Sequence, residues 1–346
     1  MKKYLSLFLA FLMTIFCFSG CGSQQNTSET ASSAAETAAS MVTKSDLTNT
    51  AKLKIVTTIF PEYDWVKSIL GDQTENVELT MLLDNGVDLH SYQPTADDIA
   101  KISDCDLFIY VGGESDGWVD DALKNASNKN MKVVNLLDVL GDSIKEEEVV
   151  EGMETEAEEE EADGEEEPEY DEHVWLSVKN AEVLSKAIAD ALEKADPDHK
   201  DIYQENASAY SEKLKDLDAK YQEVVDGASQ KTLLFGDRFP FRYLVDDYGL
   251  SYYAAFVGCS AESEASFDTI SFLANKVDEL GLKDIMAIEN SNQKIAKTII
   301  ENTKEKNQKI LTLDTMQSTT SDDVKNGTTY LSVMEKNLEV LKEALQ

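Results

Sequence analysis

Two of the three histidines in this chain lie in similar local sequences, and together they suggest a metal site. His90 follows Asp88, and His173 follows Asp171, each at a spacing of two residues. Imidazole is a common ligand for zinc, copper and iron, and a nearby carboxylate can ligate the metal or orient the ring. A short Asp-x-His segment also arises by chance, and an isolated histidine is usually an ordinary core or surface residue. We therefore treat the two segments as candidate halves of one site.

The first residues have the features of a bacterial lipoprotein signal. Two lysines precede an apolar run from Leu5 to Phe18, which is too short to span a bilayer comfortably and is typical of a signal peptide. Ser19 and Gly20 stand directly before Cys21 and resemble a lipobox. We predict a signal peptide over residues 1–20 and lipidation of Cys21, which would anchor the protein to the outer face of the cytoplasmic membrane. An ordinary secretory signal is the alternative.

The charge of the chain is strongly negative and unevenly distributed. The formal net charge is −36, which argues against a nucleic-acid partner because phosphates would be repelled. From Lys145 to Glu172 there are 17 acidic residues and one lysine. This composition predicts an acidic disordered loop over 145–170. The loop is either a solvated spacer or a weak collector of cations, and it ends beside His173.

The remaining pattern predicts a two-lobed α/β protein. Residues 21–51 are rich in Ser, Thr, Ala and Glu and predict a flexible stalk. Strand and helix patterns alternate in an N-terminal lobe, 52–197, and again in a C-terminal lobe, 229–346. A linking helix over 198–228, with no Gly or Pro from His199 to Asp226, joins them. Two open α/β lobes joined by one long rigid helix imply a cleft at the carboxyl ends of the strands.

Several motifs resemble those of the zinc and manganese solute-binding lipoproteins of bacterial ABC importers. The resemblance extends from about Lys52 to Leu345 and implies two α/β lobes, one connecting helix and one metal in the cleft between the lobes. The motifs that carry it are Thr57-Thr58-Ile59-Phe60-Pro61, Asp88-Leu89-His90-Ser91-Tyr92-Gln93-Pro94-Thr95, Asp106-Leu107-Phe108-Ile109-Tyr110-Val111-Gly112 and Glu172-His173-Val174-Trp175-Leu176.

The resemblance also implies a set of metal ligands. It assigns His90 as the first, His173 as the second and Asp314 as the fourth. The position of the third ligand, usually His or Glu, corresponds here to Arg238, which stays protonated and cannot ligate.

Either a neighbouring residue replaces the missing ligand or the site has fewer protein ligands, and two nearby residues are candidates for the replacement. One is Asp237, and the other is Cys259, which follows the second strand of the same lobe. A thiolate would favour Zn²⁺, whereas a set completed by Asp237 would also accept Mn²⁺. A buried structural thiol is the alternative for Cys259. The only other cysteine of the predicted mature domain is Cys105, and this pair does not suggest a disulfide framework.

These expectations describe a monomeric extracytoplasmic receptor that binds a divalent metal ion, with zinc preferred over manganese, and delivers it to an ABC permease. A lipid-anchored surface adhesin with a structural metal is an alternative. A zinc hydrolase is a third hypothesis, but the chain has neither a His-Glu-x-x-His motif nor a nucleophile elbow. We therefore do not expect an enzyme.

Overall fold

The computed structural model describes residues 52–154, 169–260 and 264–346. The predicted signal peptide, the lipidation site Cys21, the stalk and the centre of the acidic loop lie outside the described residues. Within the described part of the chain, no helix combines the length and the apolar character needed to cross a membrane.

The first lobe is built on a four-stranded parallel sheet. The order of its strands is β2-β1-β3-β4. β3 is apolar, and Leu107, Phe108 and Ile109 are fully buried, as expected for a strand covered on both faces. The strands are β1 (Leu53–Thr57), β2 (Val77–Met81), β3 (Leu107–Tyr110) and β4 (Lys132–Asn135), and the helices are α1 (Phe60–Leu70), α2 (Ala96–Asp104), α3 (Val119–Lys124), α4 (Leu136–Leu140) and α5 (Val178–Ala195).

A single long helix, α6 (Lys200–Asp226), connects the two lobes. Its 27 residues correspond to about 40 Å at a rise of about 1.5 Å per residue. The buried side chains of α6 recur along one face and are mainly aromatic or leucine, so the helix is held by packing along its length. Both lobes belong to one compact unit, Thr50–Gln346.

The second lobe repeats the architecture of the first. Its parallel sheet has the order β6-β5-β7-β8. The strands are β5 (Thr232–Phe239), β6 (Ser251–Val257), β7 (Asp284–Ile288) and β8 (Lys309–Leu313), and the helices are α7 (Arg242–Tyr248), α8 (Phe267–Leu280), α9 (Lys294–Asn302), α10 (Ser321–Lys325) and α11 (Tyr330–Ala344). The prediction of two open α/β lobes with a long helix between them is confirmed.

β5 differs from its predicted form in a way that matters for the site. The sequence pattern predicts a strand that ends at Phe235, but the strand continues to Phe239. Its pairing with β6 is interrupted by a bulge between Phe235 and Arg238 and then resumes. The bulge inserts one extra residue into β5 without ending the strand, because backbone pairing to β6 is recovered beyond it. Asp237 therefore lies inside β5, not at its end.

The two described ends of the predicted acidic loop, 145–170, are attached to the folded lobes. Glu147 N donates to Glu169 O over 2.9 Å, and Asp171 N donates to Lys145 O over 2.8 Å. Farther along, Glu154 N donates to Ala255 O, in β6 of the second lobe, over 2.9 Å. These backbone hydrogen bonds order the described ends of the segment and bring its start close to the turn that follows β6.

Candidate metal centre

Three predicted ligand residues come together between the lobes. In the part of the chain that the structure describes, His90, His173 and Cys259 each offer one ligand atom, and these atoms all lie within 4.8 Å of one another. The two imidazole Nε2 atoms are 3.1 Å apart. Two nitrogens bound to one tetrahedral zinc ion at about 2.0–2.1 Å would be about 3.3 Å apart. The observed spacing therefore suits a single ion held by both rings.

His90 is presented by a short 3₁₀ turn, Leu89–Ser91, which follows β2. The Asp88 carboxylate caps this turn and accepts a hydrogen bond from His90 N over 3.1 Å. The Nδ1 atom of the ring lies 2.9 Å from Ser115 Oγ and 3.4 Å from Glu172 Oε2. Because Nδ1 is occupied in this way, the lone pair of Nε2 is left to face His173.

Glu172 supports His90 at Nδ1, the same ring nitrogen that contacts Ser115. Its Oε1 atom accepts a hydrogen bond from Ser115 N over 2.9 Å. Burial by itself would raise the pKa of Glu172, but its contacts with His90 and Ser115 outweigh burial, so the pKa lies below its ordinary value. Glu172 therefore stays ionised and favours a proton on His90 Nδ1.

His173 is fully buried and is oriented by the carboxylate of Asp171. Asp171 Oδ1 accepts from His173 N over 2.8 Å and lies 3.1 Å from His173 Nδ1. The Trp175 ring packs against the imidazole with a centroid separation of 5.3 Å. A carboxylate that accepts a hydrogen bond from Nδ1 selects the tautomer whose Nε2 lone pair is free to bind a metal.

Cys259 reaches the site from the second lobe, two residues after β6 ends at Val257. The turn approaches His173 closely: a Cβ atom at Gly258 would lie 2.9 Å from Phe239 O and 3.1 Å from His173 Cε1. Glu147 Oε1 accepts a hydrogen bond from Cys259 N over 3.0 Å. Burial, and then the charge of Glu147, raise the pKa of the Cys259 thiol well above its ordinary value. The thiol is therefore protonated without a metal, and a bound cation would displace the proton.

Gln317 is a further polar residue at the centre, and it is not among the ligands predicted from the sequence. Its Nε2 atom lies 3.3 Å from His173 Nε2, on the side of the ring that faces the other ligands. Its Oε1 atom is buried and has no hydrogen-bond partner among the described residues. A rotation of the amide would exchange its oxygen and nitrogen and direct a carbonyl oxygen toward the group. No sequence signal indicates this role, because glutamine is uncommon as a transition-metal ligand.

Asp314, the predicted fourth ligand, does not belong to the group of converging atoms. Its Oδ1 atom accepts a hydrogen bond from Met316 N over 2.8 Å. Met316 has a positive φ of 63°, a conformation that costs free energy for a residue with a side chain. In this structure Asp314 stabilises the tight turn that carries Gln317, and burial raises the pKa of its carboxyl group.

Asp237 and Arg238 also lie outside the group. Asp237 uses its two oxygens within its own sheet, where they accept from Arg238 N over 3.0 Å and from Ile288 N over 3.4 Å. The Arg238 guanidinium forms an ion pair with Asp88. Of the two candidates for the missing ligand, Cys259 is therefore the one that the structure brings to the histidines.

Comparisons with known proteins show which family the chain resembles. The model of the family described as zinc-uptake complex component A, periplasmic (ZnuA) matches residues 55–344. The chain is 37% identical over 292 residues to the zinc-binding lipoprotein AdcA of Streptococcus pneumoniae, a match that covers 84% of this chain and 56% of AdcA. It is 31% identical over 295 residues to the high-affinity zinc uptake system protein ZnuA of Bacillus subtilis, covering 85% of this chain and 88% of that protein.

A solved structure shows the same fold. The crystal structure of the Zn(II)-bound ZnuA-like domain of Streptococcus pneumoniae AdcA matches with a TM-score of 0.66 and 33% identity, covering 85% of this chain and 99% of that domain. The chain spans about half the length of the AdcA proteins, which are the first curated relatives it matches. On the strength of the family match over nearly all of the described residues, this chain belongs to the ZnuA family.

Proposed function

We propose that this protein is an extracytoplasmic receptor that captures a zinc ion between its two lobes and delivers it to the permease of an ABC importer. The observation that carries the proposal is the convergence of His90 and His173 from the first lobe with Cys259 from the second. Relatives named as zinc-binding lipoproteins and as a zinc uptake system protein support it.

The proposed ligands are His90 Nε2, His173 Nε2 and Cys259 Sγ, with the amide oxygen of Gln317 in the fourth position. Two imidazoles, one thiolate and one neutral oxygen form a tetrahedral set that is well suited to zinc. Manganese prefers harder oxygen ligands, so the thiolate is the main reason to propose Zn²⁺ over Mn²⁺. An ion held by residues of both lobes stabilises the closed arrangement, which gives a permease a means to distinguish loaded from empty receptor.

The proposal includes the location of the protein. A lipid on Cys21 and the stalk over residues 21–51 would hold a monomeric receptor close to its permease in the membrane. The acidic segment would raise the local concentration of cations without contributing a ligand. The zinc-uptake names of the family and of a relative favour a transport receptor over an adhesin with a merely structural metal. We do not propose catalysis for a site in which four protein donors would surround the ion.

Zinc titration of histidine variants tests the proposal. The protein lacking residues 1–21 is stripped with a chelator, and zinc affinity is measured by competition against a fluorescent chelator. We expect one zinc ion per chain, and we expect His90→Ala and His173→Ala each to raise Kd by about 100-fold or more, since each removes one of four ligands.

The third histidine provides a matched control. His199 lies at the start of the connecting helix, with its Nδ1 atom 2.6 Å from Asp196 Oδ2, and it is outside the group of converging atoms. His199→Ala should leave the zinc Kd unchanged. Zinc binding by His90→Ala as tight as that of wild type would refute the proposed site. For delivery, zinc-loaded protein should stimulate ATP hydrolysis by its transporter in proteoliposomes more than the metal-free His90→Ala variant does.

A further inference from the structure

A charged contact joins the two lobes directly behind the proposed metal centre. The guanidinium group of Arg238, in β5, forms an ion pair with Asp88, in the first lobe. Both side chains are mostly buried, with 18% of Arg238 and 24% of Asp88 exposed. A charge-assisted hydrogen bond that is shielded from water is stronger than an ion pair on the surface. This contact is therefore a candidate for controlling how the lobes meet.

On the side of the first lobe, the ion pair acts on the turn that carries His90. One oxygen of the Asp88 carboxylate contacts the guanidinium group, and the other accepts a hydrogen bond from His90 N over 3.1 Å. A single carboxylate thus links Arg238 to the backbone of a proposed ligand. Displacement of Arg238 would free Asp88 to rotate and would loosen the 3₁₀ turn.

On the side of the second lobe, the ion pair is connected to Cys259. Arg238 pairs with Phe256 of β6 just beyond the bulge in β5. β6 ends one residue later, at Val257, and the chain then turns through Gly258 to Cys259. The position of Arg238 and the position of Cys259 are therefore coupled through the backbone ladder of two adjacent strands.

Other ion pairs between the lobes lack these connections. They are Lys145–Asp246, Lys179–Asp247 and Arg242–Glu148. None of their side chains hydrogen-bonds to His90, His173, Cys259 or Gln317 in the described part of the chain. Arg238–Asp88 is distinguished from these three by its direct link to a proposed ligand.

We propose that the Arg238–Asp88 ion pair is a clamp between the lobes that sets the distance from His90 to Cys259 and thereby slows metal release. Arg238 acts as a positioning residue and does not contact the metal. The inference rests on the proposed metal site, and it assigns a role to an arginine that stands where the resemblance leads one to expect a ligand.

The charge of Arg238 allows a clamp to be separated from a simple electrostatic effect. A guanidinium group repels a nearby zinc ion, so a purely electrostatic role predicts that Arg238→Gln binds zinc more tightly. A clamp predicts weaker binding and faster release, since the ligands are no longer held at the correct spacing. Asp88→Asn should also weaken binding, because it breaks the clamp and leaves the positive charge of Arg238 without its partner.

The experiment compares Arg238→Gln, Asp88→Asn and the double variant in the protein lacking residues 1–21. Zinc Kd is measured by competition, and the rate of zinc release by stopped-flow transfer to a fluorescent chelator. We expect each single variant to raise the release rate by about 10- to 100-fold, the range typical of residues that orient metal ligands. The double variant should bind zinc no more weakly than the weaker-binding single variant, because the two substitutions break the same contact.

Arg242→Gln is the matched control, since Arg242 is the only other arginine in the chain and its partners, Glu148 and Asp246, are not in the group of converging ligand atoms. Its release rate should equal that of wild type. A zinc release rate for Arg238→Gln that is within about twofold of the wild-type rate, or slower than it, would overturn the clamp. Additive losses of zinc affinity in the double variant would also overturn it. A lower melting temperature of the metal-free protein with unchanged release would also overturn it. If His90→Ala itself retains tight zinc binding, the proposed site fails instead.

Discussion

Replacement of Cys259 by serine is the most direct test of the proposed ligand set. Cys259 is the one donor that combines a negative charge with a soft sulfur atom, and its Sγ lies within 4.8 Å of the ligand atoms of His90 and His173. Serine has nearly the same shape, but its hydroxyl does not ionise at neutral pH and is a poor zinc ligand. The substitution therefore removes the ligand with little change in packing.

The size of the effect follows from the energy of zinc coordination. Structural zinc sites with four ligands have apparent binding free energies of about 10–16 kcal/mol at neutral pH, or about 2.5–4 kcal/mol per ligand. At about 1.4 kcal/mol per factor of ten, the loss of one ligand raises Kd by about 10²- to 10³-fold. The protonated thiol of the wild-type protein must release a proton when it binds metal, so protons compete with zinc at low pH. The loss of zinc affinity caused by Cys259→Ser should therefore be larger at high pH than at low pH.

The assay is a competition titration with zinc and manganese under reducing conditions. Cobalt substitution supplies a second readout, because a thiolate ligand produces a charge-transfer absorption band that serine cannot produce. Cys105→Ala is the matched control: Cys105 is a buried cysteine of the first lobe and lies outside the ligand group, so its loss should leave the zinc Kd unchanged. A zinc Kd for Cys259→Ser within about twofold of wild type, with no thiolate band in the wild-type cobalt complex, would refute the assignment.

Two further predictions concern Gln317 and the buried acid Glu62. Gln317→Ala should raise the zinc Kd by about tenfold or more through loss of the fourth donor. Gln317→Glu should retain zinc and bind manganese more tightly than wild type, because a carboxylate is a harder ligand. Equal metal affinities in wild type and both variants would contradict the assignment of Gln317 as a ligand. Burial, and then the nearby Asp116 carboxylate, raise the pKa of Glu62 to about 8. The folded protein therefore retains a proton that the unfolded chain loses near its ordinary pKa, so the stability linked to Glu62 is present at low pH and is lost as pH rises toward 8. Between these pKa values the contribution of Glu62 to the free energy of unfolding should fall by about 1.4 kcal/mol per pH unit. Glu62→Gln should remove this contribution in urea unfolding of the metal-free protein, and an identical pH dependence in wild type and variant would contradict the prediction.

Much of the architecture could be predicted because it depends on local patterns. Apolar β-branched strands alternate with amphipathic helices twice, and one long stretch without Gly or Pro stands between them. Such periodicities indicate which face of each element is buried, whatever its partner. The predicted end of β5 was wrong, because pairing with β6 resumes beyond the bulge between Phe235 and Arg238 and extends the strand to Phe239.

The composition of the metal centre could be predicted only in part. The candidates can be identified from residue types and spacing: two histidines with acidic neighbours, an arginine that cannot ligate, and a cysteine after a strand of the second lobe. Only the tertiary structure decided which of them meet. His90, His173 and Cys259 converge from distant parts of the chain, Asp314 shapes a turn, and Gln317 takes a place beside His173. The physical reason is that a side chain's direction depends on bulges, turns and contacts between lobes, and these arise from interactions between segments that are remote in sequence.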